Sequence, residues 1–280
     1  MAKPLEILSL GAGVQSSAVL LMSIRGDLPK LDHVIFSDTQ WEPAGVYRHL
    51  DYLRGIAEEN GIPLHIVTAG DLRDHTMRGR LRGRSEDGHT NMEIPIYLRT
   101  PSGGGRLMKR QCTNNYKIKP IRKKIREILG LRKGQRSGSE VLVRQWLGIS
   151  AEESRRCRLS KDRWVENRYP LIFDASPPMR RAHCFRWLAD NGYPRPPRSA
   201  CIGCPFRSNE EWRALTPAEL ADAIEVDEKI RHCDQNKDEG RRELAFLHTS
   251  LLPLREADLR TPEERGQLNW LDECEGQCGV

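Results

Sequence analysis

Short apolar runs alternate with amphipathic stretches over the first half of the chain. Glu6-Ile7-Leu8-Ser9-Leu10 has strand length, breaks at Gly11-Ala12-Gly13 and gives way to a helix from Val14 to Ile24. His33-Val34-Ile35-Phe36-Ser37 predicts a second strand. Ala44 to Asn60 predicts an amphipathic helix, with Val46, Leu50, Leu53, Ile56 and Ala57 at helical spacing and Gly61 as its stop. Leu64-His65-Ile66-Val67 is a third strand, Ile118 to Leu129 a further helix, and Glu140 to Ile149 a fourth strand. Strands that alternate with helices predict an α/β fold, a Rossmann-like (HUP-type) parallel sheet with helices on both faces. Ligands of such sheets bind at the carboxyl ends of the strands, where Gly11–Ser17, Asp38 and Ser150–Ser154 fall.

The second half reads differently. A short strand at Tyr169–Ile172 and a helix at Pro178–Asn191 precede the proline-rich run Tyr193-Pro194-Arg195-Pro196-Pro197. A cysteine pair and a charged helical region to about Asn236 follow. The expected organisation is a nucleotide-binding domain over 1–175 with a basic insertion at 73–117, then a helical C-terminal region over 176–280.

Charge sharpens this picture. The net +6 conceals 18 Lys and Arg against 5 Asp and Glu between Arg73 and Arg136, whereas Glu210 to the end carries 9 against 18. A basic block attracts phosphates of a nucleotide or a nucleic acid; the plainer reading is a solvated surface insertion. With Gly103-Gly104-Gly105 inside it and few apolar residues before Ile118, the block is expected to be a mobile loop. No stretch reaches the apolar length of a membrane span, and the start runs straight into a strand without a signal peptide, so a cytoplasmic location is expected. Eight cysteines in a reducing compartment point to metal ligation or catalysis for those that cluster; Cys157 and Cys233 read as space-filling.

Gly11-Ala12-Gly13-Val14-Gln15-Ser16-Ser17 joins a strand to a helix. Glycines let amides approach phosphate, the helix amino terminus adds its dipole, and Ser16 and Ser17 can donate hydroxyls. Alone, this pattern is equally a plain strand-to-helix turn. The segment resembles the PP-loop of the adenine nucleotide alpha-hydrolase-like superfamily, whose motif reads Ser-Gly-Gly-x-Asp-Ser. Gly11 stands for the first serine, Ala12 for the first glycine and Gln15 for the aspartate. Phe36-Ser37-Asp38-Thr39-Gln40-Trp41-Glu42 resembles the Asp-Thr-Gly strand end of the phosphoadenosine phosphosulfate (PAPS) reductase-like family. Gly148-Ile149-Ser150-Ala151-Glu152-Glu153-Ser154 resembles that family's Gly-Ile-Arg-x-x-Glu-Ser segment. The similarity covers most of residues 5–215 and is strongest to stand-alone members from phages and plasmids. It implies an adenine-nucleotide site, for ATP or a relative with Mg as a further candidate, at Ser9, Gly11, Ala12, Gly13, Gln15, Ser16, Ser17, Asp38, Thr39, Gly148, Ser150 and Glu153. Gln15 is a poor magnesium ligand, which favours binding over cleavage.

Cys201-Ile202-Gly203-Cys204-Pro205 has the spacing of a metal or cluster edge. Gln111-Cys112-Thr113-Asn114-Asn115-Tyr116-Lys117-Ile118-Lys119-Pro120 resembles the Cys-Cys-x-x-Arg-Lys-Val-x-Pro-Leu run of assimilatory adenylylsulfate reductases, which pair it with a downstream CxxC to hold a 4Fe-4S cluster. Cys112 keeps the first cysteine and Thr113 replaces the second. The resemblance implies a cluster on Cys112, Cys201 and Cys204, with one iron open or closed by Cys184. Structural zinc on Cys112, Cys201 and Cys204 with His183 or Cys184 is the alternative. Cys274 and Cys278 are the candidate nucleophile and resolving thiol, or plain exposed thiols.

Three functions follow from this resemblance. One is ATP-dependent adenylation and sulfur transfer, with the basic block 73–136 holding a nucleic-acid substrate. Another is reduction of adenylylsulfate or PAPS to sulfite, with Cys274 attacking sulfur and a thioredoxin-like reductant as partner. The last is a non-catalytic nucleotide- or nucleic-acid-binding accessory of a mobile element. A homodimer and no membrane partner are expected.

Overall fold

A computed structural model describes residues 3–78, 92–132, 134–138, 140–233, 243–261 and 264–266. The chain divides into two units, residues 1–72 with 112–201, and residues 73–111 with 202–280.

The first unit is α/β. Its strands are β1 (Leu5–Leu10), β2 (His33–Asp38), β3 (Leu64–Thr68), β6 (Val143–Leu147) and β7 (Val165–Arg168). They form one five-stranded, all-parallel sheet in the order β3-β2-β1-β6-β7. The chain moves outward from β1 to β3, then returns to the other side of β1 with β6. The switch point therefore lies between β1 and β6, the place where open α/β sheets bind ligands.

Alternation along the strands dresses both faces. Leu8, Leu10, Val34 and Phe36 pack on one side with α1 (Val14–Arg25) and α2 (Ala44–Glu59). Ile7 and Ile35 point the other way, onto Ile121 and Ile125 of α4 (Lys119–Ile128), with Val143 and Val165. Ile7, Leu8, Val34 and Ile35 are fully buried, each contributing about 1.5–3 kcal/mol on removal from water. Gly26, at φ 88°, ends α1 in the left-handed region that L side chains avoid. Helix α6 (Arg181–Asp190) joins the α1 side through Cys184 and Leu188.

The expected strand at Tyr169–Ile172 is instead a helical turn, α5 (Pro170–Phe173), following β7. Pro170 lacks an N–H and fits the first position of a helix, where no donor is required.

The second unit departs from the expected boundaries. Residues 73–117 are not one loop within a domain 1–175. Strands β4 (Tyr97–Arg99) and β5 (Gly105–Leu107) make an antiparallel sheet with β8 (Leu244–Phe246) from the C-terminal region. The cause is a period-two apolar alternation at Met92, Ile94, Ile96 and Leu98, all buried. Residues 79–91, part of the expected loop, lie outside the described residues. After the short helices α3 (Leu72–Arg78) and α7 (Asn209–Arg213), helix α8 (Pro217–Ile230) carries the buried Asp227, which accepts from the amides of Leu247 at 2.7 Å and Leu254 at 3.0 Å and pairs with Arg231. Glu243 takes both arms of Arg106, at 2.8 and 2.7 Å. Among the described residues, no helix is long and apolar enough to cross a membrane.

Candidate functional site

The loop after β1 is built by its own hydroxyl. Ser16 Oγ accepts from the Gly11 amide at 3.1 Å and donates to the Gly13 carbonyl at 3.3 Å. Ala12, at the position of the motif's first glycine, holds φ 52°, a left-handed backbone costing an L residue about 1–2 kcal/mol. Behind it, α1 presents first-turn amides that have no intrahelical acceptor. Ser17 does not face this loop: its fully buried hydroxyl bonds His49 Nε2 of α2 at 2.9 Å. Its place as the fourth residue of α1 turns it toward the helix interface, so the expected phosphate contact through that hydroxyl is withdrawn. Ser9 is held within the sheet by Gln145 Nε2 at 2.7 Å.

The loop after β6 presses against this turn. A Cβ on Gly148 would lie 2.7 Å from the Ser16 nitrogen and 2.9 Å from its Cα, so only glycine fits. Gln15 Nε2 then reaches across the switch point to Ser150 Oγ at 3.4 Å and Glu153 Oε2 at 3.2 Å. Glu153 also pairs with Arg156. The carboxylate that position 15 lacks is thus supplied beside it by a residue on the neighbouring loop.

At the end of β2, Asp38 Oδ1 accepts from the Gln40 amide at 2.8 Å and from the Tyr47 hydroxyl at 2.9 Å. Burial, with Asp38 beside it, pushes the Tyr47 phenol well up, so it remains a donor. Gln40 holds φ 59° where the resembled motif carries glycine. Thr39 is buried and donates to Glu42 Oε1 at 3.0 Å. Glu42 is itself buried, and its Oε2 has no hydrogen-bond partner among the described residues.

Against this strand end docks a π-helical turn, Thr113–Ile118, whose Tyr116 carbonyl accepts from Ser37. Such turns mark functional sites in helices. The turn follows Cys112 and carries Lys117, whose Nζ lies 3.6 Å from Glu42 Oε1. Burial lowers the Lys117 pKa, but Glu42 and the thiols of Cys201 and Cys112 more than offset it, and the ammonium is stabilised overall.

Cys201 arrives by a route that sequence reasoning missed. Ser199 donates to the Gly11 carbonyl, and a Cβ on Gly13 would stand 3.0 Å from the Ser199 Cβ. Ser199 therefore lies on the glycine loop, two positions before Cys201. The proline run before it was the available signal, since prolines stiffen the return from α6.

Of the expected cysteine ligands, Cys184 stands apart from the others. Cys112 and Cys201 share Lys117, and Cys204 follows three positions along the chain, in the second unit. Cys184 is fully buried in the apolar core of α1 and α6, where burial pushes its thiol up to about 12. That environment opposes the thiolate a ligand requires. Among the described residues, no group of three or more His, Cys, Asp or Glu is arranged to hold a metal ion. Soft thiols next to a fixed cation are nonetheless the donor chemistry that suits a thiolate-held centre. Cys274 and Cys278 lie outside the described residues. Cys157 is half-buried and Cys233 buried.

No protein-family model matches the chain, and no curated protein matches it.

Proposed function

We propose that the chain binds an adenine nucleotide at the switch point between β1 and β6 and couples it to sulfur chemistry at the adjoining cysteines. The observation that carries this reading is the convergence of three loops. Gly11–Gln15 meets Gly148–Glu153 through Gln15 and Glu153, and meets Ser199 at Gly11 and Gly13, so helix-start amides and a carboxylate share one place, two positions along the chain from Cys201.

ATP-dependent adenylation followed by sulfur transfer is the form best supported. The first-turn amides of α1 would take the phosphates. Glu153 and Ser150, with phosphate oxygens, fit the one-carboxylate arrangement by which magnesium binds nucleotides. Asp38, oriented by Tyr47, would hold the nucleoside. A substrate carbonyl oxygen would attack the α-phosphorus and expel pyrophosphate; a sulfide-level sulfur nucleophile would then add at the activated carbon, and AMP would leave carrying that oxygen. Cys112, Cys201 and Cys204 would hold an iron–sulfur cluster, with Lys117 balancing thiolate charge. When bound, a three-thiolate cluster supplies an iron with an open coordination position.

The test combines iron and acid-labile sulfide counts on anaerobically purified protein with ATP-dependent pyrophosphate release in the presence of RNA. Iron and sulfide in near-equal amounts, lost in Cys112→Ser, together with pyrophosphate release, are expected. Zinc in their place overturns the cluster. Sulfite released from adenylylsulfate without ATP turnover overturns adenylation in favour of a reductase.

A further inference from the structure

The opposite edge of the sheet carries a second polar surface. Residues 135–138 precede β6 and residues 161–164 precede β7, so both turns lie at the amino ends of the strands. With the last turn of α4 they line an open concavity of about 540 Å³. Its charged lining is Arg126, Arg136, Lys161 and Arg163 against Asp162, and Asp162 is engaged by Arg122. Arg136, Lys161 and Arg163 are exposed and make no ion pair among the described residues.

The concavity is built rather than incidental. Arg126 donates to the carbonyls of Arg132 at 2.9 Å and Gln135 at 2.7 Å, pinning the turn that presents Arg136. The same guanidinium lies 6.0 Å over the Trp164 ring. Helix α4 continues the surface toward the other edge. Its apolar face, Ile121 and Ile125, is buried on the sheet, while Lys119, Lys123 and Arg126 recur at helical spacing on the outer side. At 1.5 Å per residue, the seven steps from Arg126 to Lys119 extend this basic track by about 10 Å. The track ends at the π-helical turn that bears Lys117 and follows Cys112.

We propose that this concavity and the outer face of α4 bind the phosphodiester backbone of a double-stranded nucleic acid. A duplex presents one negative charge per about 1.7 Å of axis, so a track of this length faces several phosphates. Single-strand binders offer exposed aromatic faces on which bases stack. Here Trp164 is 5% exposed and already covered by Arg126, so the surface reads backbone charge and not bases. The proposal stands independently of the nucleotide reading, and if both hold, the duplex is led along α4 toward the cysteines.

The test is fluorescence polarisation of the full chain with labelled duplex RNA, duplex DNA and a single strand of the same sequence, across a potassium chloride series. Both duplexes are expected to bind more tightly than the single strand, and the RNA and DNA arms show which one is preferred. The combined variant Arg136→Glu, Lys161→Glu, Arg163→Glu is expected to lose at least about tenfold in affinity and to flatten the salt slope by about 2–3. A matched reversal at the exposed Arg25, Lys30 and Lys229 is expected to lose much less. An unchanged melting temperature and unchanged ATP binding would show that the concavity variant is folded. The proposal is overturned if duplexes do not bind at low salt, if the single strand binds better, if both reversals weaken binding equally, or if anionic vesicles bind where nucleic acid does not. Failure of ATP to bind the wild type, with duplex binding intact, counts against the nucleotide reading alone.

Discussion

Gly148 stands against Ser16 so closely that a Cβ at position 148 would lie 2.7 Å from the Ser16 amide nitrogen. The end of β6 and the first turn of α1 are thereby locked together across the switch point. Gly148→Ala must push the two loops apart, which costs about 1–3 kcal/mol in a packed setting. The expected outcome is a lower denaturation midpoint together with at least about tenfold weaker ATP binding, read by calorimetry.

Ser16 and Ser17 are adjacent and serve different ends. Ser16 closes the loop on Gly11 and Gly13, whereas Ser17 bonds the buried His49. Ser17→Ala leaves the His49 nitrogen unpartnered and is expected to lower stability by about 1–3 kcal/mol with nucleotide affinity retained. Ser16→Ala is expected to do the reverse, weakening ATP binding at small cost to the melting temperature. Equal effects of both on binding would contradict the assignment.

Gln40 offers a test of stored strain. It is exposed and holds φ 59°, so Gln40→Gly relieves a left-handed L residue. A stability gain of about 1 kcal/mol is expected in a denaturant titration.

The fold's acid sensitivity follows from its histidines. Burial holds His49, His33, His65 and His248 below their ordinary value of 6.5, His49 chiefly by desolvation. The unfolded chain then binds more protons than the folded one, so stability rises with pH. Their contribution is fully present above about 6.5 and is lost as pH falls below it. Denaturation midpoints measured from pH 7.5 to 5 are expected to fall, and His49→Gln is expected to flatten the curve.

Much of the first unit was legible because parallel strands buried on both faces read as unbroken apolar runs, as in Ile7-Leu8 and Val34-Ile35-Phe36. The glycine loop and the partner loop at Ser150 and Glu153 were legible for the same reason, since they close those runs. What escaped was long-range. Met92, Ile94, Ile96 and Leu98 were hidden inside a block read for its charge, and the strand that pairs with Leu98 lies at Leu244–Phe246. Ser199 on the glycine loop is a contact over 188 positions that no local pattern announces. Cys184 looked like a ligand because it is a cysteine; its helix face places it in the core.

The most direct measurement is an equilibrium titration of the purified full chain with ATP, wild type beside Gly13→Val. The Gly13 position meets Ser199 at 3.0 Å, so the variant crowds the turn that would hold the phosphates. Saturable binding by the wild type and at least about tenfold weaker binding by the variant are expected. A wild type that shows no saturable binding, or a variant that binds equally well, would contradict a nucleotide site at the switch point.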